Sequence, residues 1–125
     1  MADLTINSTS KTPSITFAEK GHLEIKGRSI PENSVEFYKP VMDKLDEYSN
    51  SPKPQTTVTI QLEYFNTSSS KCLLDIFKKL EQLNKKGSAV SVNWLFEEDD
   101  EDMQEAGEDY QAIIQIPFNI SKIPA

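Results

Sequence analysis

The stretch Asn66-Thr67-Ser68-Ser69-Ser70 sets four hydroxyls in succession behind an asparagine, and two chemistries suit such a run. At a helix start, a side-chain oxygen accepts from backbone N–H groups that lack an intrahelical partner. Those same N–H groups, with the positive end of the helix dipole, also favour a phosphate. One cap needs one hydroxyl, and four are present. A phosphoryl group there would add about −1.5 to −2 charge and three strong acceptors. The helix start can accommodate it, so the fold need not melt. The surface, however, turns from a neutral hydroxyl patch into a bulky anion, and a partner docked flat on it must desolvate that charge or clash with it.

Catalytic chemistry finds little to work with, and no catalytic residue is assigned. His22 is the single histidine and Cys72 the single cysteine. A Ser–His or Cys–His pair would have to use His22, which reads as an exposed or edge-strand residue near the N-terminus. One His and one Cys cannot anchor zinc, which needs three or four ligands. Cys72 falls among apolar helix positions, where a cysteine is ordinarily packed. The glycines Gly21, Gly27, Gly87 and Gly107 are scattered and form no phosphate loop. A calcium loop begun at Asp100 would need glycine at 105 and glutamate at 111, where the chain has Glu105 and Gln111. No metal and no cofactor is expected. The Asn-x-Ser/Thr matches at Asn7, Asn66 and Asn119 are chance matches in a cytoplasmic chain.

The hydroxyl run is positioned by a change of period. Val58, Ile60, Leu62 and Tyr64 alternate with Thr59, Gln61 and Glu63, which predicts a strand over 57–65. Leu73, Ile76, Phe77, Leu80 and Leu83 recur at helical spacing and predict a helix from about 69 to 86, stopped by Lys85-Lys86-Gly87. Upstream, strands at 14–18 and 22–26 are joined by a hairpin turn at Lys20-Gly21. A helix then follows Pro31-Glu32-Asn33-Ser34, with Asn33 or Ser34 as its cap. Pro40 should bend that helix, because it lacks an N–H and crowds the carbonyl of Glu36. Downstream come a strand at 89–96, a short helix near 101–109 and a final strand at 112–116. Residues 1–11 and 121–125 read as loosely held ends. The order predicts an α/β single domain, a mixed sheet with helices packed on it, over residues 1–125 with an ordered core of about 12–120. The unit from 57 to 96 should be a right-handed parallel crossover, with loop 65–70 at the carboxyl end of its strand, where functional loops gather.

The net charge of −7 is local in origin. Residues 97–109 hold nine acidic and no basic residues, leaving 13 basic against 11 acidic residues elsewhere. Such a stretch repels nucleic acid and anionic membrane, so neither is expected as a partner. It reads as a solvated face or, alternatively, as the docking surface of a constitutive adaptor for a basic partner. No apolar run is long enough to cross a bilayer, the start does not read as a signal peptide, and a lone cysteine fits a reducing compartment. The expected location is the cytoplasm.

Pro31-Glu32-Asn33-Ser34 before the first helix, and Phe65-Asn66-Thr67-Ser68-Ser69 before Leu73-Leu74-Asp75-Ile76-Phe77, resemble the SiaC-family regulatory phosphoproteins of bacteria. The resemblance runs from about residue 12 to 120 and takes in Pro117-Phe118. It implies a STAS-like fold, related to the anti-sigma-factor antagonists, and partner switching. In the family a dedicated kinase phosphorylates the threonine of Asn-Thr-Ser-Ser and a metal-dependent phosphatase removes the phosphate. The unphosphorylated form binds and activates a diguanylate cyclase, raising cyclic-di-GMP and promoting biofilm growth. The matching acceptor is Thr67. Asn66, Ser68 and Ser69 flank it, and Asn33 and Ser34 lie nearby if the first helix starts beside that loop. The run Glu97–Asp102 and Pro40 depart from the family pattern.

Overall fold

A computed structural model describes residues 3–124. Strands β1 (Leu4–Ile6), β2 (Ser14–Ala18) and β3 (His22–Ser29) precede helix α1 (Ser34–Tyr48). Strand β4 (Gln55–Phe65), helix α2 (Thr67–Lys85), strand β5 (Ala89–Glu97), helix α3 (Glu101–Ile113) and strand β6 (Phe118–Ile123) follow. The six strands lie in the order of the chain, β1-β2-β3-β4-β5-β6. β1–β2 and β2–β3 pair antiparallel, and β3–β4, β4–β5 and β5–β6 pair parallel. The result is the single-domain mixed sheet with packed helices that the alternation implied.

Three successive parallel crossovers stepping the same way along a sheet, all with the usual right hand, place their helices on one face. Burial agrees with that layering. Val58, Ile60 and Leu62 of β4 and Val90, Val92, Trp94 and Phe96 of β5 are buried, whereas Thr57, Thr59 and Gln61 between them are only partly covered. Against the buried face pack Tyr38, Val41, Leu45 and Tyr48 of α1, Leu73, Ile76, Phe77 and Leu80 of α2, and Met103 and Tyr110 of α3. Pro40 is exposed inside α1, which continues through it as one helix, its core-facing side chains uninterrupted.

Several expectations need correction. The sheet starts at Leu4 and ends at Ile123, so both ends carry strands beyond the expected core of 12–120. The segment 112–116 is not a strand. α3 runs through Ile113, and Ile114 and Ile116 are buried in the connection that leads to β6. An apolar run of that length reads alike as a helix end or a strand. His22 is not on an edge strand, since β3 lies between β2 and β4, and its Nε2 is buried without a hydrogen-bond partner. Tyr64 departs from its strand's alternation. The register moves from Gly27↔Leu62 to Arg28↔Tyr64, so β4 carries one extra residue there and Tyr64 emerges 53% exposed.

Candidate functional site

Helices α1 and α2 start at the same end of the sheet, and each is capped by an asparagine. Asn33 Oδ1 accepts from the Glu36 N–H at 3.1 Å at the start of α1. Asn66 Oδ1 accepts from the Ser69 N–H at 2.9 Å at the start of α2. The second helix therefore begins at Thr67 and not near 69, and its cap is an amide oxygen and not one of the hydroxyls. The Asn66 N–H in turn donates to the Ser29 carbonyl at 3.0 Å, which holds the exit of β4 against the end of β3.

With capping done by asparagine, the four hydroxyls divide by environment. Ser69 is fully buried and donates to the Ser29 carbonyl at 3.1 Å. Ser29 Oγ donates to Ser69 Oγ at 2.8 Å, so the 2.6 Å contact between Ser29 and Tyr38 has the tyrosine as donor. Burial pushes the Tyr38 phenol up to about 12, and it serves as a neutral donor. Ser68 is exposed but engaged, with Ser34 Oγ at 2.7 Å and Asn66 Oδ1 at 3.2 Å. Ser70 donates to the Thr67 carbonyl at 2.7 Å, closing on its own helix turn. The Thr67 hydroxyl alone of the four is on an exposed residue and has no hydrogen-bond partner among the described residues.

The structure thus brings Asn66, Thr67, Ser68, Ser69, Asn33 and Ser34 to one place. Ser69 and Ser34 are buried and belong to its support, while Thr67, Ser68 and Asn33 reach solvent. Two apolar neighbours that the helix and strand periods would turn to the core are exposed instead. Val35, one residue past Ser34, is 75% exposed, and Tyr64, three before Thr67, is the exposed residue set by the register shift. Both are large apolar groups left in water within a few residues of the cluster, which makes them candidates for a contact surface. A third support comes from α3, where the Tyr110 hydroxyl donates to the Ser70 carbonyl at 2.9 Å and its ring packs on Trp94 and Phe77.

The acidic segment has a structural account of its own. Asp100 caps α3 by accepting from the Met103 N–H at 3.0 Å, and Glu101 and Asp102 in the first turn complement the helix dipole. Cys72 is buried, and burial followed by the Asp75 carboxylate pushes its thiol up, which disfavours a thiolate. Among the described residues, no three His, Cys, Asp or Glu side chains converge on a metal position. A concavity of about 900 Å³ beside β6 is lined mainly by polar groups such as Asn93, Glu98, Gln104 and Glu108, unlike the apolar pockets that take small ligands. No helix among the described residues is long and apolar enough to cross a membrane.

A family model described as SiaC family regulatory phosphoprotein matches residues 6–123. The chain is 33% identical over 121 residues to an uncharacterised protein of Pseudomonas aeruginosa strain UCBPP-PA14, covering 96% of each. It superimposes with a TM-score of 0.91, at 32% identity, on the Pseudomonas aeruginosa activator SiaC in complex with the diguanylate cyclase SiaD, covering 97% of this chain and 100% of that one. The apo form of the same Pseudomonas aeruginosa protein matches with a TM-score of 0.87 at 32% identity, over 97% of this chain and 99% of that one.

Proposed function

The chain belongs to the SiaC family of regulatory phosphoproteins, and from that premise we propose that it is a non-enzymatic, cytoplasmic phospho-switch for a diguanylate cyclase. In its unphosphorylated form it binds and activates the cyclase, raising cyclic-di-GMP and favouring biofilm growth. Phosphorylation of Thr67 by a dedicated kinase releases the cyclase, and a metal-dependent phosphatase restores the binding form.

The observation that carries this reading is the environment of Thr67. Its hydroxyl is exposed and spends no hydrogen bond on the fold, while Ser68, Ser69 and Ser70 are each committed to a neighbour. A kinase can take that hydroxyl without cost to the scaffold, and the added charge appears at the end of the sheet where Val35 and Tyr64 are exposed. A partner resting on those two residues would have to desolvate the phosphate to stay bound. The relative's complex with its cyclase supplies the partner class.

The test combines purified protein with the diguanylate cyclase of the same organism and follows cyclic-di-GMP production. Wild type and Thr67→Ala should activate, and protein carrying phosphothreonine at 67 should neither bind nor activate. Equal activation by the phosphorylated form would overturn the switch. Loss of activation on neutralising Glu98 and Asp102, with Thr67 variants all alike, would instead favour a constitutive adaptor acting through the acidic segment 97–109.

A further inference from the structure

Lys71 stands four residues after Thr67 on α2, is exposed, and forms no ion pair among the described residues. Side chains at i and i+4 share a helix face with Cβ atoms about 6 Å apart. Helical side chains lean toward the N-terminus, so the long stem of Lys71 can reach back over the first turn to a group on Thr67. An anion at i with a cation at i+4 is also the favourable order along a helix. Ser70, the i+3 neighbour, cannot compete, because its hydroxyl is bonded to the Thr67 carbonyl.

The other charges at this end make that lysine matter. Glu32 and Glu36 flank the start of α1, Glu63 is exposed near the end of β4, Asp75 follows on α2, and Glu97 to Asp100 lead from the end of β5 into α3. Glu36 is partly engaged, accepting from Asn33 Nδ2 at 3.4 Å. The ionisable core groups Tyr38, Cys72 and Tyr110 are held neutral by burial. Arg28 lies across from Tyr64 in the β3–β4 register, Lys11 is beside the exit of β3, and Lys122 is at the end of β6. Among these cations, Lys71 is the one on the helix face of Thr67 itself.

We propose that Lys71 receives the phosphate of phospho-Thr67, so that modification both adds an anion to the docking surface and withdraws a free ammonium from it. This rests on the reading of Thr67 as the acceptor. The two effects act together: an effector carboxylate that would pair with Lys71 in the unmodified protein finds it already engaged.

The experiment uses full-length protein with phosphothreonine encoded genetically at position 67, alone and with Lys71→Gln or Lys71→Arg. A ³¹P NMR titration at low salt reads the second phosphate pKa. With Lys71 present that pKa should lie a few tenths of a unit below the Lys71→Gln value, as for a helical ion pair. Lys71→Arg should keep the lowered value, and the difference should vanish near about 1 M salt. Equal values for wild type and Lys71→Gln at low salt would overturn the proposal. Because the phosphate is installed during translation, the outcome is independent of whether a cellular kinase modifies Thr67, so the two readings fail separately.

Discussion

The hydroxyl oxygens of Ser34 and Ser68 lie 2.7 Å apart across 34 residues of chain, joining the first turn of α1 to the first turn of α2. The pairing follows from topology. In a parallel β-α-β-α order every helix starts at the carboxyl end of its preceding strand, so the starts of α1 and α2 are neighbours wherever β3, β4 and β5 are neighbours. Ser34 is buried and Ser68 exposed, so the two ends of the bond are unequal. Ser34→Ala frees the exposed Ser68 to turn to water and leaves the buried Ser69 its bonds to Ser29, and should cost about 1 kcal/mol. Ser68→Ala leaves the buried Ser34 hydroxyl with only its longer contact to Ser69 at 3.3 Å and should cost at least as much. Urea midpoints of the two variants test the ordering, and a neutral Ser68→Ala would show that the bond contributes nothing to the fold.

Thr67 and Asn66 are adjacent but should respond in opposite ways. The Thr67 hydroxyl has no partner among the described residues, so Thr67→Ala should change stability by less than about 0.5 kcal/mol. Asn66 is the cap of α2 and also holds Ser68, so Asn66→Ala should cost roughly 1–2 kcal/mol. Thermal denaturation separates the two. A large loss at Thr67 would mean that its hydroxyl supports the fold and would weaken its standing as a free acceptor.

Val35 and Tyr64 are predicted to serve binding without serving stability. Both side chains are mostly in water, so Val35→Ser and Tyr64→Ser should leave the melting temperature within a degree or two. If they flank the effector contact, each should weaken cyclase binding by about 1–2 kcal/mol, roughly tenfold in Kd. Calorimetric titration with the purified cyclase reads this directly. Unchanged affinity in the double variant would place the footprint elsewhere.

How far the sequence discloses this site depends on the range of the interaction concerned. The strand-to-helix junction is legible because alternation through Leu62 gives way at Asn66 to the spacing of Leu73, Ile76 and Phe77, both local signals. The nearness of Asn33-Ser34 to the hydroxyl run follows once the strands are taken as parallel. The division of labour among Thr67, Ser68, Ser69 and Ser70 was not legible, since it depends on contacts with Ser29 and Tyr38 some 40 and 30 residues upstream in the chain. Tyr64 was hidden by the register shift opposite Gly27 and Arg28, which reverses its side after a faultless alternation. β6 was missed because Phe118, Ile120 and Ile123 do not alternate strictly, while the neighbouring Ile113–Ile116 run drew the strand reading to itself.

Gly107 shows a long-range constraint of the same kind. A Cβ added there would lie 2.5 Å from Trp94 Cδ1 and 2.7 Å from Trp94 Nε1, so α3 can approach β5 only without a side chain. The indole is fully buried and its Nε1–H donates to the Met103 carbonyl at 3.0 Å, which leaves it little freedom to move. Gly107→Ala should therefore destabilise by about 1–3 kcal/mol despite the better helix propensity of alanine. A stabilised variant would show that α3 can slide, and Trp94 fluorescence would report the shift. Since Tyr110 ties α3 to Ser70, a moved α3 should also loosen the start of α2.

Alkaline pH offers a test of the buried hydroxyl chain itself. Burial raises the Tyr38 phenol to about 12, and burial also raises Tyr110. A folded pKa above the unfolded value of about 10 means that the native state keeps its proton where the unfolded chain has released it. Stability from this source is complete below about pH 10 and falls as pH rises toward the folded value. For Tyr38 the rise to about 12 corresponds to roughly 2–3 kcal/mol lost by pH 12. Tyr38→Phe removes the titrating group. It should lose about 1 kcal/mol at neutral pH with its bond to Ser29, then fall less steeply than wild type above pH 10. Guanidinium midpoints measured between pH 8 and 12 decide it. Parallel curves for the two proteins would mean that the Tyr38 hydroxyl ionises as readily in the fold as outside it. The chain from Tyr38 through Ser29 to Ser69 would then lack the dry environment assigned to it.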